Sequence, residues 1–193
     1  MGGHDGWVPA HTTPTIRPRR PDDIPHLAAA LLEQQPTSGY PHRDPLPYPA
    51  EQFLLRPSVA AWVAEVDGQP AGHVAISTPA DPATLTGGDA DLVRVWMAGH
   101  GRRHDALGEV SIFFTALSAR GSGAGPVLLA TAVAALRERT LAPCLDVIPT
   151  GTAAMRLYRR TGWLGVGSVR PGWLADDAPD VIAMILPDGS GGV

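Results

Sequence analysis

The chain of 193 residues contains no lysine and no asparagine, has one cysteine, and is only 6% aromatic. Each shortage removes a class of reading. A phosphate loop of the G-x-x-x-x-G-K-[S/T] type needs a lysine, so it is excluded. The fifteen basic side chains are therefore all arginines. They are scattered along a chain of formal net charge −4 and form no basic stripe for nucleic acid. One cysteine, Cys144, cannot close an internal disulfide, and Met1-Gly2-Gly3-His4-Asp5 lacks the basic and apolar parts of a secretion signal, so the expected location is the reducing cytoplasm. No apolar run is long enough to cross a bilayer, which sets membrane partners aside. No Cys/His cluster has metal-ligand spacing and no G-x-S-x-G elbow is present, which sets aside metal and serine-hydrolase chemistry. The missing lysine and asparagine read as codon bias toward Arg, Ala, Gly and Pro.

Hydrophobic residues make up 44% of the chain and charged residues 18%, with 22 glycines and 20 prolines. That composition and length suit one globular domain, expected over residues 15–187 between poorly ordered tails at 1–14 and 188–193. Thr15 to Arg17 reads as a first strand, and Pro21-Asp22-Asp23 opens a helix through Gln34. From Gln35 to Pro49 five prolines, with Tyr40, His42 and Tyr48 among them, predict an extended loop. Loops of that length in a compact domain are often functional. Asp67-Gly68 between the apolar runs 60–66 and 71–77 is a hairpin signal. Residues 78–107 read as a polar insertion holding a short amphipathic segment, Leu92 to Met97, which is a lid, a dimer contact or a covering helix. Asp180 to Leu186 is a last strand. Strands joined through helices after an antiparallel start imply an α/β fold, with a mixed sheet and helices on both faces.

The chemistry concentrates in Ser118-Ala119-Arg120-Gly121-Ser122-Gly123-Ala124-Gly125-Pro126-Val127, where a glycine-dense turn leads from an apolar strand, Gly108 to Leu117, into an apolar helix. Leu129, Ala132, Val133 and Leu136 give that helix a core-facing stripe. Glycines let a backbone approach an anion closely, and the first turn of a helix offers unpaired N–H groups at the positive end of its dipole. Pro126 suits the first helical position, where its missing N–H costs nothing. A dinucleotide fingerprint counted from Gly121 meets Pro126 where its third glycine belongs. Taken alone, the segment reads equally as a glycine-rich strand-to-helix turn.

A second block lies downstream: the strand Leu145-Asp146-Val147, then Ala154-Met155-Arg156-Leu157-Tyr158-Arg159-Arg160-Thr161-Gly162-Trp163. Arg120-x-x-Gly123-x-Gly125 and this A-x-x-L-Y-x-x-x-G-W block, in that order, resemble the GNAT family of N-acetyltransferases over roughly residues 15–186. The resemblance implies a mostly antiparallel sheet with one splayed parallel strand pair and acetyl-coenzyme A as acyl donor. It implies that the backbone of Phe113 and Thr115 bonds the pantetheine arm. The N–H groups of Gly121, Ser122, Gly123, Ala124 and Gly125 would then hold the pyrophosphate, with Arg120 adding charge. Tyr158 becomes the acid at the coenzyme sulfur and Glu109 the general base, with Asp146 the second choice. A free strand amide would stabilise the developing oxyanion. His73 and His42 read as structural. The family's asparagine before the A-x-x-L-Y block is replaced by Gly151. The implied activity is transfer of an acetyl group to the amine of a small molecule. Two other readings are a peptide or protein N-acetyltransferase and a non-catalytic acyl-coenzyme A binding module. A homodimer is compatible with the insertion.

Overall fold

The structure is a computed structural model and describes residues 13–43, 45–150 and 152–188. The expected tails and Gly151 fall wholly or largely outside those residues. Among the described residues seven strands form one sheet: β1 (Thr15–Pro18), β2 (Ala60–Val66), β3 (Gln69–Ser77), β4 (Leu107–Thr115), β5 (Ala142–Val147), β6 (Leu164–Val169) and β7 (Val181–Ile185). Their order is β1-β2-β3-β4-β5-β7-β6. Only β4 and β5 run parallel; every other pair is antiparallel. The Asp67-Gly68 signal produces the β2–β3 hairpin, both residues taking the positive φ that its tight turn requires (52° and 74°).

Five α-helices among the described residues cover the sheet: α1 (Ile24–Ser38), α2 (Ala50–Leu54), α3 (Gly87–His100), α4 (Ala124–Glu138) and α5 (Thr152–Arg160). Alternation along the strands shows which face each one covers. A side chain at Gly72 would meet Leu128 of α4, whereas the adjacent His73 reaches Arg19, whose guanidinium also bonds the Leu54 carbonyl of α2. Likewise Gly108 faces Leu136 of α4, while Leu107 joins the cluster built on Leu92, Val93 and Trp96 of α3. The first three helices therefore lie on one face and α4 on the other. Gly125 of α4 approaches Leu157, which places α5 beside α4.

Three elements depart from the sequence expectation. Helix α1 continues past Gln34 to Ser38 with Pro36 inside it, and Gly39 closes it in the left-handed conformation, its N–H donating to the Gln35 carbonyl. Pro36 leaves the Leu32 carbonyl without a helical donor, but Leu32 is half exposed and water can serve it. The insertion carries a full 14-residue helix, and of the three readings α3 is the covering helix. Trp96 is 2% exposed and its indole N–H donates to the Leu145 carbonyl at 3.0 Å. Strand β6 was not anticipated. Its glycines permit close packing under α3: a side chain at Gly167 would come within 2.8 Å of Val95. Pro126 occupies the third rather than the first position of α4, still within the turn that needs no N–H partner. Among the described residues no helix is long and apolar enough to cross a membrane.

One ion network pins the start of the domain. Arg17 grips Asp23 through two 2.7 Å hydrogen bonds and also reaches Glu65 at 2.8 Å, while the Arg20 N–H caps Asp23 at 2.6 Å. The Arg17 hydrogen bond holds the Asp23 carboxyl below its ordinary range. Its stabilisation is thus present above about pH 4 and disappears as the pH falls through the depressed folded value. We expect Asp23→Ala to cost roughly 3 kcal/mol at pH 7 by denaturant titration, the typical loss when a buried pair is broken. The gap from the parent should narrow below about pH 4.

Candidate active site

Strands β4 and β5 pair only at Leu107–Ala142, Gly108–Pro143 and Glu109–Cys144. Beyond that point β4 continues beside β3 to Thr115, whereas Cys144 to Val147 pair with β7. The two central strands therefore part, and a gap opens through the sheet between their C-terminal halves. An irregularity in β4 accompanies the split. The register with β3 runs His73–Phe114 and then Ala75–Ser111, so β4 carries an extra residue, and Ile112 sits at φ 47°. A bulge of this kind bends the strand and re-aims its groups.

On the α4 face, the glycine turn lies at the mouth of the gap. Gly121 and Gly123 adopt φ 81° and 84°, and a side chain built on either would extend into open space. Gly123 is the N-cap of α4. Within the turn the Arg120 and Ser122 N–H groups bond back to Leu117 and Ala119, and the Ala124 N–H reaches the Ser122 hydroxyl at 3.3 Å. Among the described residues, no acceptor serves the N–H groups of Gly121, Gly123 and Gly125. That leaves a concave run of unpaired donors at the N-terminus of a 15-residue helix. Gly125 lies under Thr115, Leu157 and Phe113, each within about 4.0 Å of where its Cβ would be. The turn, the end of β4 and α5 therefore converge. Arg120 is exposed beside them. Open glycine space and free N–H donors at a helix start fit an anionic pyrophosphate. Tyr158 is 6% exposed, packed between Phe113 and Trp163 with ring centroids 6.3 Å and 5.9 Å away. Its hydroxyl has no partner among the described residues, and burial raises its pKa.

The opposite face carries acidic groups. Glu109 follows Leu107 by two residues and Asp146 follows Cys144 by two, so both carboxyls point to the side covered by α2 and α3. The Ser77 hydroxyl donates to Glu109 Oε2 at 3.0 Å. Neither acid makes an ion pair among the described residues. Burial raises the Glu109 pKa, opposed by the Ser77 hydrogen bond and the Arg56 charge. Asp146 is pushed up to about 7, first by burial and then by the charge of Glu109. Tyr40 of the proline-rich loop lies near this pair, with His42, read from the sequence as structural, and further rings around it. Tyr40 packs edge-on against His42 and Phe53, His42 stacks at 16° to Trp173 with 6.2 Å between centroids, and Arg56 lies over Phe53 at 5.7 Å. The Gln34 amide holds the Tyr40 carbonyl, and the His42 Nδ1–H donates to the Gly39 carbonyl at 2.9 Å. The proline-rich loop is thus anchored as an aromatic wall, and its Tyr40 lies close enough to Asp146 and Glu109 to feel both charges. His42 belongs to that wall, and His73 lies beneath it at 0% exposure. The proline-loop aromatics were a sequence signal for the wall. Arg56 and Trp173 carried none, since only the folded chain brings them to the loop.

Comparison with known proteins bears on this arrangement. Residues 27–163, more than half of the chain, match the model of the Acetyltransferase (GNAT) family. No curated protein matches the chain. Among solved structures, the ribosomal-protein-alanine N-acetyltransferase from Brucella melitensis is 21% identical with a TM-score of 0.65, covering 89% of this chain and 98% of that one. A protein from Corynebacterium glutamicum ATCC 13032, described as histone acetyltransferase HPA2 and related acetyltransferase, is 24% identical with a TM-score of 0.63, covering 94% and 100%. Arabidopsis thaliana NAA60, solved in complex with acetyl-CoA, is 21% identical with a TM-score of 0.61, covering 90% and 97%.

The raised Asp146 carboxyl yields a prediction that needs no substrate. A folded-state pKa above the unfolded one makes this acid favourable when protonated, and its cost builds as the pH rises from the unfolded value of about 4 and is complete above about 7. Asp146→Asn should therefore gain stability relative to the parent at pH 8.5 and show a smaller gain at pH 5, read from urea midpoints. Equal differences at the two pH values would place the Asp146 charge in water.

Proposed function

The chain belongs to the GNAT family of acetyltransferases, and on that premise we propose that it transfers an acetyl group from acetyl-coenzyme A to the amine of a small cationic molecule. The observation that carries the acceptor class is the pair of half-buried carboxyls, Glu109 and Asp146, which among the described residues makes no ion pair and lies beside the aromatic Tyr40. A buried acidic pair is relieved by an arriving ammonium group, and aromatic faces add cation–π attraction. The free N–H groups of Gly121, Gly123 and Gly125 hold the pyrophosphate, Ala124 and Ser122 shape the turn, and Arg120 adds charge at its rim. The backbone of Phe113 and Thr115 lines the gap where the pantetheine arm lies. Bound there, acetyl-coenzyme A supplies an activated acyl carbon.

The chain's own groups manage the protons. An ammonium must lose a proton before it can attack. Glu109, oriented by Ser77, accepts it, and the neighbouring Asp146 tunes the affinity of the pair so that it takes protons near neutral pH. Tyr158, whose raised pKa keeps its hydroxyl protonated, donates to the departing sulfur. The sheet gap joins the two sides, so acceptor and donor arrive from opposite faces. The mildly acidic, single-domain chain acts in the cytoplasm.

The deciding experiment is calorimetric titration with acetyl-coenzyme A, followed by thiol release across a panel of small amines. Saturable binding with amine-dependent release is expected; release with peptides and none with small amines would move the acceptor to a protein N-terminus. We expect kcat/KM to rise with pH as the acid pair, whose Asp146 is pushed up to about 7, gives up its protons, because the base must be deprotonated. Tyr158→Phe should keep coenzyme affinity and lower kcat by roughly 10²–10⁴-fold. Gly123→Val, which forces a β-branched residue to φ 84° in the cradle, should abolish measurable coenzyme binding while the circular-dichroism spectrum stays that of the parent.

A further inference from the structure

His73 is wholly buried and bonded on both ring nitrogens. Its Nε2 lies 3.1 Å from Arg19 Nη1, and its Nδ1 lies 2.7 Å from the Ile112 carbonyl oxygen. A guanidinium only donates and a carbonyl only accepts, so the tautomer is settled: Nε2 accepts from Arg19 and Nδ1–H donates to Ile112. Burial lowers the His73 pKa to about 4, which keeps the ring neutral and this polarity intact. Arg19 is fixed in turn by the Leu54 carbonyl and by its own N–H to the Ala61 carbonyl at 2.9 Å.

The recipient of this relay is the extra residue of β4. Ile112 sits at φ 47°, a costly position for a β-branched side chain that persists only when its surroundings enforce it. Neither Ile112 nor Phe113 has a register partner on β3, and at this level β5 has already left. The His73 ring takes the carbonyl that the ladder no longer serves. In a planar trans peptide, the Ile112 carbonyl and the Phe113 N–H point in opposite directions. A carbonyl held toward His73 on the α2 face therefore aims the Phe113 N–H to the α4 face, where the Phe113 ring and Thr115 meet Gly125.

We propose that Arg19 and His73 are positioning residues: through the Ile112 carbonyl they fix the Phe113 N–H as the hydrogen-bond donor to the acyl carbonyl oxygen of the thioester. This inference rests on the donor assignment above. A donor aligned before the reaction needs no reorganisation as negative charge develops on that oxygen. The relay also ties donor alignment to α2, whose Phe53 forms part of the acceptor wall.

Protein labelled with 15N-phenylalanine carries three reporter amides, Phe53, Phe113 and Phe114. In the parent, acetyl-coenzyme A should move the Phe113 amide proton downfield, as hydrogen bonding to a carbonyl does, and coenzyme A without the acetyl group should not. In His73→Leu that shift should vanish and kcat should fall on the order of 10²-fold, the scale for losing one such donor, with little change in the dissociation constant for acetyl-coenzyme A. His73→Gln, which can donate to Ile112 and accept from Arg19, should restore both. Arg19→Met gives a second route if His73→Leu does not fold, with the same loss of shift expected. A parent that binds no acetyl-coenzyme A sinks the donor assignment itself. A parent that binds and shifts, with His73→Leu shifting and turning over equally, overturns the relay alone.

Discussion

The parting of β4 and β5 after the Glu109–Cys144 pair is the constraint on which the molecule's function depends. A continuous sheet is a wall, and groups on its two faces cannot meet. Here the wall is opened at its centre while both halves stay laddered to other neighbours, β4 to β3 on either side of its bulge and β5 to β7. The opening therefore costs few hydrogen bonds. It lets a cradle of backbone donors on the α4 side and a floor of acids on the α2 side address the same point. The bulge at Ile112 and the relay beneath it belong to the same device, because they set where the exposed edge of β4 points.

The electrostatics of the two sides are complementary. On the α4 face the charge is partial and positive, delivered by backbone N–H groups and a helix dipole, and it suits a phosphate. On the α2 face it is formal and negative, carried by two acids whose proton affinity burial raises. The exposed Arg56 tempers that charge from the rim without bonding either acid. The internal cations that could have neutralised the acids are committed elsewhere: Arg17 to Asp23 and Glu65, and Arg19 to His73 and Leu54.

Much of this was legible in the sequence where the signal is local. Asp67-Gly68 specifies a turn by its own backbone preferences, and the glycine turn with the apolar helix behind it needs no distant partner to be recognised. The A-x-x-L-Y-x-x-x-G-W block was legible for the same reason, and family membership and the mixed sheet followed from the two blocks together. Legibility failed where tertiary packing decides. Glycines 87, 88, 99 and 101 read as the edges of a short segment, yet α3 runs through three of them because β6 and the residues after it lie against it; a side chain at Gly88 would come within 1.7 Å of the Arg170 carbonyl. Strand β6, glycine-rich and at the sheet edge, lacks the apolar alternation that marks a strand. The aromatic wall joins Tyr40 and His42 to Trp173 across more than a hundred residues, which no periodicity encodes.

Cys144, the chain's one thiol, lies in register with Glu109 and two residues before Asp146, directly under the split. A thiolate there would exchange readily with any thioester brought to the gap and would trap the acyl group on the protein itself. Burial, reinforced by the charges of Glu109 and Asp146, raises the Cys144 pKa well above the ordinary thiol value, and the thiol leans on the Gly108 carbonyl at 3.5 Å. The two acids thus help keep this sulfur protonated and inert. On the function proposed above, selectivity for nitrogen over sulfur is in this way built in beneath the acceptor.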